Sequence, residues 1–157
     1  MHEIDTDYLI VGAGALGLSF ADSLLEHGDG HITFVDQHPK PGGHWNVAYP
    51  FVTLHQPSAT YGLNSMSLSD DLMDTDGPNK GFYKLATGTQ VLGYFEQAMQ
   101  QRFIPSGRVS YYPMSKYQEG AGGEHNIVSS ISGKKTRVNV RRKLVDGSVW
   151  TASVPAT

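Results

Sequence analysis

The 157-residue chain contains no cysteine. Disulfides, thiol catalysis and cysteine-ligated metals are therefore excluded. Charge is also sparse: 17% charged against 39% hydrophobic residues describes a chain that builds a core rather than one that stays disordered. The net charge of −3 offers no bulk attraction to nucleic acid or to an anionic membrane, so neither is expected as a partner. No apolar run approaches the ~20 residues that span a bilayer, and residues 1–6 lack the positive segment of a secretory signal. A cytoplasmic protein is the default expectation. There is no G-x-S-x-G or H-E-x-x-H motif, and the seven histidines match no zinc spacing. Asp70 and Asp71 lie in a polar stretch and read as solvated surface charges. No internal repeat is visible, and the length suits one domain with a core of its own.

The organising stretch is residues 7–45. A short apolar run, Tyr8 to Val11, meets glycines at 12, 14 and 17 in G-x-G-x-x-G spacing. A helix pattern follows, with Gly17, Phe20, Ala21, Leu24 and Leu25 on one face and Gly28 at its C-terminal cap. A second strand-like run, Ile32 to Val35, ends on Asp36, nineteen residues past Gly17. This strand–turn–helix–strand order binds dinucleotides. Gly12 allows the tight turn, Gly14 lets a pyrophosphate approach the backbone, and Gly17 lets the helix pack on the strand. Free N–H groups from Ala15 onward, at the positive end of the helix, suit phosphates. The Asp36 carboxylate suits ribose hydroxyls and opposes a 2′-phosphate, with Gln37 next in line. NAD and FAD both satisfy these residues.

The following residues favour FAD. A plain NAD-binding half would continue promptly into another helix and strand, whereas Gln37 to Thr87 shows no clean strand–helix unit. Gly12, Gly14, Gly17 and Asp36, followed by Pro41-Gly42-Gly43-x-Trp45, resemble the FAD site of flavin-dependent monooxygenases and related two-dinucleotide-binding flavoproteins. The stretch from Tyr49-Pro50-Phe51-Val52 through Leu54-His55-Gln56-Pro57-Ser58 is similar to a FAD/NAD(P)-binding oxidoreductase subgroup of that superfamily. The resemblance implies that Gly42, Gly43, His44 and Trp45 lie close to the flavin, and that residues 54–58 border its ring. His55 and Gln56 could hydrogen-bond flavin or substrate.

The rest of the chain fits an α/β Rossmann-like FAD-binding domain with a parallel sheet and a small antiparallel β-meander. Residues 46–86 read as an irregular flavin-side loop following the 1–45 dinucleotide-binding unit, with a turn at Asp76-Gly77-Pro78. Residues 87–112 read as a helix and a third parallel strand. Thr87 and Gln90 have capping-box spacing; Val91, Tyr94, Phe95, Ala98, Met99 and Arg102 share a face, with the Arg102 charge reaching water. The helix should stop before Pro105 and Gly107, and Val109 to Tyr112 should form the strand. Residues 113–157 read as the meander, with strands around Tyr117, Ile127 to Ile131, Thr136 to Val140 and Val149 to Ala152 and a hairpin turn at Ser132-Gly133. Six basic residues crowd 134–143; on a strand Lys135, Arg137, Arg141 and Lys143 share one solvated face, opposite Val138 and Val140.

The resemblance implies an NAD(P)H-dependent oxygen transfer to a small organic substrate. A second G-x-G-x-x-G, the monooxygenase fingerprint and the family's later glycine–aspartate segment are absent from these residues. The expectation is therefore an N-terminal portion of a FAD-dependent oxidoreductase. The alternatives are an NAD-binding dehydrogenase or reductase domain, and a non-catalytic dinucleotide-binding module.

Overall fold

The computed structural model describes residues 2–48, 62–68 and 85–147. Strand β1 runs His2–Val11, helix α1 Ala15–His27 and strand β2 Ile32–Val35. A 3-10 turn follows at Gly43–Val47, then the two-residue strands β3, Gly62–Leu63, and β4, Met66–Ser67. Helix α2 runs Gly88–Ala98 and continues as a π turn, Met99–Phe103. Strands β5 (Val109–Tyr112), β6 (Ser115–Glu119), β7 (His125–Ser129) and β8 (Lys135–Asp146) complete the described order.

Six strands form one sheet in the order β5-β2-β1-β8-β7-β6. The β5–β2–β1 part is parallel, as expected for a dinucleotide fold, and β6–β7–β8 is an antiparallel meander. One face packs Ile10, Ile32, Phe34 and Val109 against Leu18 and Ala21 of α1 and Val91, Phe95, Ala98 and Phe103 of the second helical segment. The other face joins Leu9 and Val35 to Ile127 and Val138. The third strand and the Thr87–Gln90 capping box stand where the pattern put them, the box with both of its hydrogen bonds.

Three local expectations are refined by the structure. In α1 the expected face lies on the core, with Gly17 and Ala21 buried and Phe20, Leu24 and Leu25 packed against it in part, and Leu18 and Asp22 are buried with them. The second-helix face ends differently too. Arg102 is partly exposed, as expected, but its charge is paired: its Nε donates to the buried Asp22 at 2.9 Å and its guanidinium meets the exposed Glu26 at 2.6 Å. The π turn and a 3-10 turn, Ile104–Ser106, carry the chain through Pro105 before Gly107 turns it at φ 74°.

The third concerns the basic strand. It is one strand of twelve residues, and it runs parallel to β1, extending the main sheet. The acidic residues 3 and 5 lie in β1; Asn139 Nδ2 donates to Glu3 and Asp5 at 2.9 Å each, and Arg141 pairs with Asp5 at 3.4 Å. A bulge sets two β8 residues, Arg141 and Arg142, opposite Asp7, and Asp7 and Tyr8 both donate to the His31 carbonyl. Alternation is lost there, so Lys143 comes into register with Tyr8 rather than staying in phase with Lys135 and Arg137. Arg142 turns back over the Tyr8 ring, 5.7 Å from its centroid, and pairs with Asp29 at 2.7 Å. The segment Val149 to Ala152 lies outside the described residues.

Candidate dinucleotide site

The site begins where β1 ends. The Gly12 N–H donates to the Val35 carbonyl at 2.8 Å, and Gly12 takes φ 103°, a conformation that glycine adopts without strain. Gly14 is the N-cap of α1, and the first intrahelical bond runs from the Leu18 N–H to its carbonyl at 3.0 Å. The N–H groups of Ala15, Leu16 and Gly17 therefore precede any intrahelical acceptor. No acidic side chain stands in that first turn to compete for an anion. Gly17 is sterically fixed: a Cβ there would come closer than 3.0 Å to the Gly12 carbonyl oxygen and 3.1 Å from Ile10 Cγ2.

A second glycine pair folds onto the first turn. The Gly42 N–H donates to the Ala13 carbonyl at 2.8 Å, and the Trp45 N–H donates to the Gly42 carbonyl at 3.1 Å. Gly43, at φ 56°, lies so close that its Cβ would meet Gly14 Cα at 3.1 Å; a Cβ on Gly14 would in turn meet Gly43 Cα at 3.4 Å. The bare Gly14 backbone thus serves a backbone-to-backbone contact as well as any approaching phosphate. Gly42, at φ 129°, leaves room for Leu92 of α2, whose Cδ2 would stand 2.6 Å from a Cβ. Asn46 Nδ2 ties the turn down through the Lys40 and Gly43 carbonyls, both at 3.1 Å. Trp45 is buried in the helix-side core, and the exposed His44 stacks on it with ring centroids 5.3 Å apart.

Asp36 stands at the C-terminal end of β2 and is 5% exposed. Its Oδ2 accepts from the Ala13 N–H at 2.5 Å and its Oδ1 from the His38 N–H at 2.7 Å. Each oxygen keeps a lone pair for a ribose hydroxyl. The carboxylate thus shapes the glycine turn before it meets any ligand. Gln37 is exposed beside it. His55 and Gln56 lie outside the described residues.

Sequence reasoning missed two groups here. Tyr111 of β5 is registered with Phe34, two residues before Asp36, and its hydroxyl is buried without a hydrogen-bond partner. Glu96 of α2 likewise buries Oε2 without a partner. Burial first, then the nearby Asp36 and Glu96 carboxylates, pushes the Tyr111 phenol well above its ordinary range. Neither residue belongs to a spacing motif, so nothing in the sequence singles them out.

Among the described residues no cluster of three or more metal-ligating side chains occurs, and no helix is long and apolar enough to cross a membrane.

The comparisons with known proteins agree with this architecture. Residues 10–74 match the family profile of the NAD(P)-binding Rossmann-like domain. The uncharacterized protein Rv2000 of Mycobacterium tuberculosis is 42% identical over 153 residues, which cover 98% of this chain and 28% of that protein. Uncharacterized protein Mb2023 of Mycobacterium bovis matches equally. The chain therefore spans little more than a quarter of the curated relatives it matches. Among solved structures, a flavin-containing monooxygenase from Stenotrophomonas maltophilia superposes with a TM-score of 0.61 at 19% identity, over 93% of this chain and 38% of that one. A bacillithiol disulfide reductase from Bacillus cereus gives 0.63 at 11% identity, over 91% of this chain and 39% of that one. An open cyclohexanone monooxygenase gives 0.56 at 18%, over 93% of this chain and 27% of that one.

Proposed function

We propose that this chain, which carries the Rossmann-like dinucleotide-binding fold shared with flavin monooxygenases and FAD/NAD(P) oxidoreductases, is the FAD-binding portion of an NAD(P)H-dependent flavoprotein. The observation that carries the reading is the meeting of two glycine segments, Gly12 to Gly17 and Gly42-Gly43, with Gly14 and Gly43 in backbone contact. A simple NAD site needs only the first segment. The second adds a buried tryptophan and a left-handed backbone at the same turn, in line with the Pro41-Gly42-Gly43-x-Trp45 resemblance.

In this reading Gly12, Gly14, Ala15 and Gly17 hold the pyrophosphate, Asp36 and Gln37 the ribose, and Gly42, Gly43, His44 and Trp45 the flavin side, with His55 and Gln56 nearby. The bound flavin supplies the redox chemistry, and the chain supplies binding and orientation. The α1 N–H groups orient the phosphates, and the turn that Asp36 ties to Ala13 keeps them pointed outward. The whole protein would act as a cytoplasmic monooxygenase-type enzyme on a small organic substrate, with no nucleic-acid or membrane partner.

Replacing Gly43 by Val tests the assignment. The side chain would press on Gly14 from a backbone that β-branched residues avoid. FAD affinity should fall at least tenfold while circular dichroism stays native-like. Undiminished FAD binding in the folded variant overturns the reading. The profile match to an NAD(P)-binding domain supports a second reading, an NAD-dependent reductase, which predicts NAD binding without flavin colour.

A further inference from the structure

We infer that β6 is a docking edge for a second copy of this protein, the two β6 strands pairing antiparallel about a two-fold axis at Gln118. The inference is independent of the cofactor reading above.

Strand β6 ends the six-stranded sheet, and among the described residues no strand lies beyond it. Hydrogen-bond parity decides which groups this edge presents. The Gly120 N–H donates to the Glu124 carbonyl at 2.8 Å, so these two residues form a hydrogen-bonded pair. Bonded and non-bonded pairs alternate along an antiparallel ladder. Gln118 with Asn126, and Lys116 with Val128, therefore turn their main-chain groups toward β7. Tyr117 and Glu119 turn theirs outward. The same parity points the Ser115 N–H outward, and there it donates to the Asp36 carbonyl at 2.9 Å. The open edge is thus the short run from Lys116 to Gly120. Lys116, Gln118 and Glu119 are exposed along it. An unpaired strand edge is a template for another strand.

The edge complements itself. With the axis at Gln118, Tyr117 stands opposite the partner's Glu119, and Glu119 opposite the partner's Tyr117. Every outward N–H then meets an outward carbonyl. An axis at Tyr117 would instead set Glu119 against the partner's Ser115, whose N–H is already bonded to Asp36. The side chains favour the same register. Residues two apart share a face, so Lys116, Gln118 and Gly120 lie on one side of the sheet. Lys116 stands opposite the partner's Gly120. The place of the missing Gly120 side chain is taken by Glu124, whose Oε1 would lie 2.6 Å from a Cβ there. Each Lys116 ammonium therefore meets the carboxylate of the partner's Glu124, twice per dimer. At the axis two Gln118 amides meet, each offering a donor and an acceptor. No like charges stand directly opposite one another, an arrangement that would oppose pairing. The contact is isologous and closes at two copies.

Sedimentation velocity of the whole protein over a concentration series tests the inference, with circular dichroism on each variant to show that it is folded. The wild type should form a dimer. Glu119→Pro removes an outward N–H from each strand and leaves the β7 ladder intact, the one place in a sheet where proline is tolerated. The dimer dissociation constant should then rise about tenfold or more, the scale of two lost hydrogen bonds. Glu119→Ala keeps the N–H and should leave the constant within about twofold, since only an exposed side chain is lost. Lys116→Glu should weaken the dimer by about threefold or more through two reversed surface pairs. Lys116→Glu combined with Glu124→Lys should recover most of that loss. A wild type that stays monomeric, as when another segment of the whole protein takes the edge, overturns the inference. So does a dimer unmoved by Glu119→Pro, or one that the charge swap fails to restore.

Discussion

One methyl group, added at two helical glycines, should change stability in opposite directions. Gly17 lies in α1 and Gly93 in α2, and both take ordinary negative φ, so alanine gains up to about 1 kcal/mol of helix propensity at either position. At Gly93 nothing lies within 4 Å of the new Cβ, and the gain stands alone. At Gly17 the Cβ would overlap the Gly12 carbonyl, approach Ile10 Cγ2 to 3.1 Å and stand 3.4 Å from the Gly12 carbonyl carbon. The Gly147 backbone also packs there, since a Cβ on Gly147 would meet Gly17 Cα at 3.2 Å. Flexible side chains could give way, but backbone held by the Gly12–Val35 hydrogen bond cannot. Overpacking costs typically about 1–3 kcal/mol, and a backbone neighbour puts this site at about 3 or more. The net loss for Gly17→Ala is then about 2 kcal/mol or more. For a chain of this size that lowers the melting midpoint by roughly 4–8 °C, while Gly93→Ala raises it by roughly 1–3 °C. Differential scanning calorimetry on both variants decides the matter. If Gly17→Ala melts at or above the wild type, the close-packed turn is not what the glycine serves.

Other perturbations reach other parts of the account. Asp22 is 2% exposed and accepts from Arg102, from the Ser65 N–H at 3.2 Å and from the Ser65 hydroxyl, so Asp22→Ala should cost about 2–4 kcal/mol in urea unfolding. A double variant, Asp22→Leu with Arg102→Met, should recover part of that loss by removing both charges. Arg108 donates to the Leu24, Gly28 and Gly30 carbonyls at 3.0–3.2 Å, closing the C-terminus of α1; Arg108→Ala should cost about 1–3 kcal/mol, with Lys restoring little because one ammonium cannot span all three. The raised Tyr111 phenol binds its proton more tightly folded than unfolded. Its contribution is complete below the ordinary phenol pKa near 10 and is lost as pH rises toward the folded value. Tyr111→Phe should flatten the alkaline limb of the stability profile; an unchanged limb would place the destabilising titration elsewhere.

What the sequence revealed was mostly local. The glycine turn, the capping box and the three strand segments of the parallel part follow from local patterns within about 20 residues, where periodicity and turn chemistry act directly. Asp22 was hidden because it sits at a helical position beside Leu18 and Ala21, and its partner Arg102 is 80 residues away. The acidic start of β1 was hidden for the same reason. Glu3 and Asp5 flank a single apolar residue, Ile4, and the segment is strand because β8 pairs alongside it from more than 130 residues away. At the site, Asp36 was found by its distance from the glycines. The Gly14–Gly43 contact was found only in part, since the resemblance placed both near the cofactor but not against each other. Glu96 and Tyr111 come near each other through helix packing and strand register, which no single segment encodes.

The central claim is best tested by titrating the whole protein with FAD and separately with NAD, following flavin absorbance and heat in the same samples. The account predicts that FAD binds at one per chain and at least tenfold more tightly than NAD, and that Gly43→Val abolishes the difference. NAD binding equal to or tighter than FAD binding, or no binding of either, would contradict it.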